Sequence, residues 1–189
     1  MIRSREEMRE YYRADIKMSG LAEKGLLHHF VDRRYKFYKN LRRTEYYVNT
    51  FKGPLKLLAK LQYIKYRRLC YRYQWGIPIN VFEKGLSIVH VGTIVVSSKA
   101  KIGKNCRIHV CVNIGNAVSH GVSGTPTIGD NVYIGPGAKV FGDIVIGDKT
   151  VIGANAVVNK SFPEGHCTIA GVPAKVITQN DSSMYIEED

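Results

Sequence analysis

A mainly β solenoid preceded by a helical, strongly basic region is the fold this sequence predicts, and three observations predict it. Aliphatic residues recur every six positions at Val96, Ile102, Ile108 and Ile114, and then, after a gap of fourteen, at Ile128, Ile134, Val140, Ile146, Ile152 and Val158. Small residues answer them four places on, at Cys106, Val112, Val132, Ala138, Thr150 and Ala156, with Ile144 the largest exception. Glycine follows the aliphatic directly at Gly103, Gly115, Gly129, Gly135, Gly147 and Gly153. An α-helix cannot hold a period of six, and a two-residue strand period does not place glycine at one site alone. In a solenoid each hexad makes one short strand and one corner, and three hexads close a triangular coil of eighteen residues around an aliphatic stack.

The chain divides near Trp75. Residues 1–75 carry nineteen Lys and Arg against seven Asp and Glu, whereas nine face nine from Gly76 onward, so the formal net charge of +12 sits in the first part. Ten of the twelve tyrosines lie there too. Three helices are expected in this region: one around REEMREYYRA, one around His29 to Asn40, and one from Pro54 to Gln74. Pro54 suits a first helical turn and Gly76 a stop, while Leu57, Leu58, Leu61, Ile64 and Leu69 give the third helix an approximate apolar stripe. Its other face carries Lys60, Lys65, Arg67, Arg68 and Arg72, a surface for an anionic partner such as a phosphate-bearing carrier, an acidic glycan or a membrane surface. No nucleic-acid motif accompanies the charge, which disfavours that partner.

Residues 76–177 form the expected solenoid, with the corner glycines read as sites of unusual backbone angle. The fourteen-residue step from Ile114 to Ile128 is one hexad plus eight, so a loop over 116–127 is extruded there. Residues 178–189 read as a frayed acidic tail. No apolar run approaches the roughly 20 residues needed to span a bilayer and no signal-peptide core opens the chain, so a cytoplasmic protein, at most peripheral to the inner face of a membrane, is expected. Cys70, Cys106, Cys111 and Cys167 show no metal-ligand spacing and read as reduced thiols.

Three histidines are candidates for a general base, since imidazole exchanges protons near neutral pH. Counting eighteen back from Ile108 puts His90 one coil below it in an aliphatic position, with His109 close by at a corner; His120 rides the extruded loop.

The stretches GLSIVHVGTIVVSSKAKIGKNCRIHVCVNIG, PTIGDNVYIGPGAKVFGDIVIGDKTVIGANAVV and AGVPAKVI together resemble the serine acetyltransferase branch of the left-handed β-helix acyltransferases, over about Ile77 to Ile177. The resemblance implies an acetyl-CoA-dependent transferase, a homotrimer or dimer of trimers, with active sites between neighbouring solenoids. It carries the catalytic base onto His90, and it places the pantetheine arm along Gly115, Gly135, Pro136, Ala138, Gly153 and Ala154. Lys139, Lys160 and Lys175 are then candidates for the nucleotide phosphates. A metal-dependent carbonic anhydrase is another use of this solenoid, but His90 and His109 lack ligand spacing and no metal is expected.

Departures from the branch are equally informative. The acidic residue expected immediately before the catalytic histidine is Val89 here, and the upstream aspartate that orients the imidazole is replaced by Trp75, leaving Asn80 as the nearest polar substitute. A further histidine is missing at Thr125. Related enzymes acting on sugars or antibiotics carry their base in the extruded loop, which would favour His120; the loop length matches the serine branch, which favours His90, with His109, His120 and Thr125 left to contact the acceptor. The expectation is an O-acetyltransferase whose acceptor is a sugar or surface glycan. The alternatives are serine O-acetyltransferase with an altered pocket and, in another class, a non-catalytic trimeric scaffold.

Overall fold

The structure is a computed structural model that describes residues 1–24, 28, 31–119 and 122–186. Its solenoid has three flat faces of parallel strands. One face stacks Trp75–Gly76, Ile94–Val96, Asn113–Gly115, Lys139–Phe141 and Val157–Val158. The second stacks Ser87–Ile88, Arg107–Ile108, Tyr133–Ile134, Val151–Ile152 and Thr168–Gly171, closed by an antiparallel strand, Ala174–Thr178. The third holds Lys101–Ile102, Thr127–Ile128 and Val145–Ile146.

Register explains the repeat. Ile134 pairs with Ile152, Val140 with Val158 and Ile128 with Ile146, each a step of eighteen. Across the loop, Ile108 pairs with Ile134 and Ile114 with Val140, a step of twenty-six, so the eight extra residues leave the stack without disturbing it. They are drawn out as a hairpin of Ala117–Ser119 and Val122–Gly124. The repeating aliphatics and the small residues between them are all buried, and the one hydroxyl among them, Thr150, donates to the Gly147 carbonyl at 2.8 Å.

The glycines after the aliphatics do not hold the unusual backbone angles expected of them. The left-handed conformation falls two residues later, at Asn105, Asn131, Lys149 and Asn155, each just before an inward small residue. The glycine is needed because the next coil passes too close: a Cβ at Gly147 would lie 2.3 Å from the Pro163 carbonyl oxygen and 2.5 Å from the Gly165 nitrogen. Gly115, at the base of the hairpin, would meet only Asn113 Oδ1 at 3.5 Å. Gly147→Ala is therefore expected to cost about 1–3 kcal/mol and Gly115→Ala close to nothing, measured by denaturant unfolding. Equal losses at both positions would refute the close-approach account.

Among the described residues, three long α-helices precede the coils: α1 (Arg5–Met18), α2 (Arg33–Thr50) and α3 (Lys56–Tyr73). Ser4 caps α1 by accepting from the Glu7 N–H, and Asp32 caps α2 by accepting from the Arg34 N–H. The middle helix runs to Thr50 rather than stopping near Asn40. The third ends because Gln74 turns left-handed at φ 58°, not because of Gly76, which is already in the first strand.

The helices share one core with the solenoid. Arg42, 1% exposed, donates to both oxygens of Asp15, to Glu45, and to the carbonyls of Phe82 and Glu83; Asp15 also accepts the N–H groups of Gly85 and Leu86. Burial opposes the guanidinium charge, yet the two carboxylates hold its pKa above the usual arginine range. Tyr66 donates to the Ile77 carbonyl and Tyr38 accepts the Ile88 N–H. Four of the ten N-terminal tyrosines, Tyr35, Tyr38, Tyr66 and Tyr73, are thus core residues.

Two further expectations are corrected. The tail is ordered through Ile186: Ser182 donates to the Asn131 carbonyl, Tyr185 stacks on Tyr133 with centroids 4.4 Å apart, and Ile186 is buried. The leucine stripe of α3 faces solvent; its packed side is Ala59, Gln62, Tyr66, Leu69, Cys70 and Tyr73. Among the described residues, no helix is long and apolar enough to cross a membrane.

Candidate active site

His90 does not occupy an aliphatic position. Ile88 takes that place, paired with Ile108 across a step of twenty, so two extra residues are accommodated in the corner that follows. The swelling pushes His90 outward, where it is exposed on a bend between Ile88 and Ile94. Its ring lies 5.7 Å from that of His109, edge to face. His109 in turn sits 5.0 Å from Tyr133, so the stacked row ends on Tyr185 of the returning tail.

The two imidazoles differ. Burial, then Arg107 and His90, push the His109 pKa down to about 4, and its Nε2 is buried without a hydrogen-bond partner among the described residues. At neutral pH His109 is therefore uncharged and presents no positive charge to His90. His90, exposed and facing a recess, is the better placed of the two to take a proton from a ligand.

That recess, about 640 Å³, is lined by His90 with Val89 and Val91 from the solenoid, Trp75 from the first strand, His28 and Asp32 from the approach to α2, and Arg33 and Arg34 from its first turn. The larger cleft, about 770 Å³, lies alongside, between α1 and the tail, and includes Arg107, Val89 and Arg34. Asp32 and Arg34 form a paired fork, with contacts of 3.1 and 2.7 Å; burial raises the Asp32 pKa, but the Arg34 hydrogen bonds and charge hold it below its ordinary value. Sequence reasoning missed Asp32, Arg33 and Arg34, because only folding brings a segment nearly sixty residues upstream against His90. Trp75 is fully buried against Phe37 and Tyr73, with its Nε1–H unpartnered among the described residues.

Asn80 does not orient His90. Its side chain exchanges hydrogen bonds with Asn49 at 2.9 and 3.0 Å, and its N–H donates to Glu45, so it serves the helix junction instead. Thr125 is at the hairpin base, donating to the Lys99 carbonyl at 3.0 Å. His120 lies outside the described residues.

The corner beginning at His90 continues upward through Val110, Pro136 and Ala154, since Ile108, Ile134 and Ile152 are in register. Three coil spacings make this edge roughly 14 Å long. Pro136 and Ala154 expose small side chains there, and Gly153 is half-buried. Gly135 and Ala138 are buried: the space beside Gly135 is filled by the Ile152 carbonyl, and Ala138 points into the core. They shape the edge without offering it a side chain. Lys139 donates to the Cys111 carbonyl at 2.5 Å, whereas Lys160 and Lys175 are exposed. An extended thioester arm fits a smooth edge of this length. Among the described residues no group of three or more His, Cys, Asp or Glu could hold a metal ion.

Residues 125–160 match the family described as bacterial transferase hexapeptide (six repeats). With its three-faced coil, the chain has the left-handed β-helix fold of the hexapeptide-repeat class and carries a hexapeptide-repeat transferase segment. Within that class it is similar to serine acetyltransferases. It is 42% identical over 106 residues to that of Mycobacterium tuberculosis, covering 56% of this chain and 46% of the relative. It is 35% identical over 130 residues to that of Staphylococcus aureus, covering 66% and 61%. The crystal structure of serine acetyltransferase from Neisseria gonorrhoeae superposes with a TM-score of 0.70 at 26% identity, over 93% of this chain and 70% of that one. The chain thus spans roughly half the length of the curated relatives it matches.

Proposed function

We propose that the protein is an acetyl-CoA-dependent O-acetyltransferase whose acceptor is a small hydroxyl compound of the serine type. The observation that carries this reading is the position of His90: exposed, at the foot of the smooth corner edge, and facing a charged recess. His90 takes the acceptor hydroxyl proton as the oxygen attacks the thioester carbonyl. The C–S bond then breaks, and the imidazolium returns the proton to the departing thiolate. Pro136, Gly153 and Ala154 leave room for the arm, and Lys160 and Lys175 are available to phosphate. Three copies around an axis, as in the trimer expected from the resemblance, would close the open side of the edge.

Serine itself is favoured over the sugar or glycan acceptor expected from sequence. The similar proteins are serine acetyltransferases, and four of the ten N-terminal tyrosines, which could otherwise stack on a sugar ring, are core. Asp32 and Arg33, opposite in charge and lining the recess beside His90, suit an amino acid's ammonium and carboxylate. Val89 and Trp75 in place of carboxylates make this an altered serine pocket.

The test is CoA thiol release with acetyl-CoA and a panel of L-serine, simple sugars and glycan fragments. Faster turnover with L-serine than with any carbohydrate is expected. Preference for a carbohydrate would restore the glycan reading, and no turnover with any acceptor would favour the non-catalytic scaffold.

A further inference from the structure

Helix α3 has two apolar sides, and only one of them is packed. Opposite its buried side, Leu57, Leu61 and Ile64 are 63%, 55% and 48% exposed, with Leu58 and, just before the helix, Leu55 beside them. At 3.6 residues per turn, Lys60 and Arg67 fall on one flank of this stripe, Lys65 and Arg72 on the other, and Arg68 prolongs it. The segment Lys56–Tyr73 contains six Lys and Arg and no Asp or Glu. Among the described residues, Lys60, Lys65, Arg68 and Arg72 form no ion pair.

A contiguous leucine stripe on a folded protein calls for a cover. A second copy of the same helix would set six cations against six, which like-charge repulsion opposes. The cover must be apolar within and anionic at its surface, and that pair of properties belongs to an anionic lipid bilayer.

We propose that α3 lies in the plane of an anionic membrane surface. Leu57, Leu61 and Ile64 insert among the acyl chains, while Lys60, Lys65, Arg67 and Arg72 extend their stems along the apolar layer and reach the lipid phosphates. Tyr63 and Tyr71, 40% and 71% exposed, sit at headgroup level, the depth that amphipathic rings favour. The helix rests on the bilayer without crossing it, and the rest of the surplus positive charge of residues 1–75 adds long-range attraction to the same surface.

The experiment is flotation of the full chain with vesicles of phosphatidylcholine alone and of phosphatidylcholine mixed with phosphatidylglycerol. One variant carries Leu57→Ser, Leu61→Ser and Ile64→Ser; another carries Lys60→Glu and Lys65→Glu. All five positions are exposed, and thermal melting verifies that both variants remain folded. The expected result is that wild type floats with the anionic vesicles only, that salt weakens the binding, and that each variant lowers the bound fraction about tenfold or more. Failure of wild type to float with anionic vesicles would overturn the proposal. Undiminished flotation of the serine variant would also overturn it, by showing a purely electrostatic contact of the kind an acidic protein could make. A smaller hydrodynamic mass for that variant with flotation intact would assign the stripe to self-association instead.

Discussion

His90→Ala is expected to lower the rate of acetyl transfer by about 10² to 10⁴-fold, the usual contribution of a positioned general base. Binding of acetyl-CoA should survive, because the corner edge through Pro136 and Ala154 does not depend on the imidazole. The measurement is therefore paired: CoA release under saturating acceptor, and the rise in melting temperature that acetyl-CoA produces by binding the folded state. A large loss of turnover with an unchanged thermal shift supports His90 as the base. His109→Gln should have a smaller effect, since that ring is half-buried and reaches the recess through its contact with His90. If His90→Ala kept most of its activity while a His120 substitution abolished it, the base would be His120 instead.

The second large effect concerns the joint between helices and solenoid. Arg42→Ala leaves the Asp15 and Glu45 carboxylates buried without the guanidinium and leaves the Phe82 and Glu83 carbonyls without its N–H donors. Breaking a buried pair from one side costs about 3–5 kcal/mol. At roughly 2–4 °C per kcal/mol for a chain of this size, the melting temperature should fall by about 6–20 °C. Arg42→Lys should recover only part of the loss, because a single ammonium cannot reproduce five hydrogen bonds spread over a planar fork. A drop below about 2 °C for the alanine variant would mean that the cluster is not the joint described.

What was legible in the sequence follows from how local each signal is. The hexad repeat was readable because every coil places the same chemistry at the same angle, so Ile134 and Ile152 announce their pairing by spacing alone. The eight-residue surplus between Ile114 and Ile128 announced a protrusion by the same arithmetic, and its hairpin geometry stays consistent with it. His90 was found as a candidate, but its register was misread: the coil below Ile108 is two residues longer than the rest, and no residue type marks where a corner swells. The corner glycines were also legible as special, although for the wrong reason, since steric approach of a neighbouring coil cannot be seen from one strand's sequence.

The helical region was harder to read because its chemistry is doubled. Helix α3 has apolar residues on two sides, and helical periodicity cannot say which side meets the protein; Tyr66, Leu69 and Tyr73 do so, and Leu57, Leu61 and Ile64 do not. Nothing in the spacing of the helical region's tyrosines separates core from surface, yet Tyr38 and Tyr66 spend their hydroxyls on the first coil's backbone. Asn80 looked like a partner for His90 by proximity in the chain and is claimed by Asn49 from α2 instead. The sequence by itself determined the solenoid, its eighteen-residue coil, the extruded segment and the concentration of positive charge, because these repeat or accumulate along the chain. Only the tertiary structure decided that Asp32, Arg33 and Arg34 share a recess with His90, that Arg42 binds the helices to the coils, and which leucines remain uncovered. Those facts depend on contacts between distant segments, whose energies are set by packing and desolvation and leave no periodic trace in the chain.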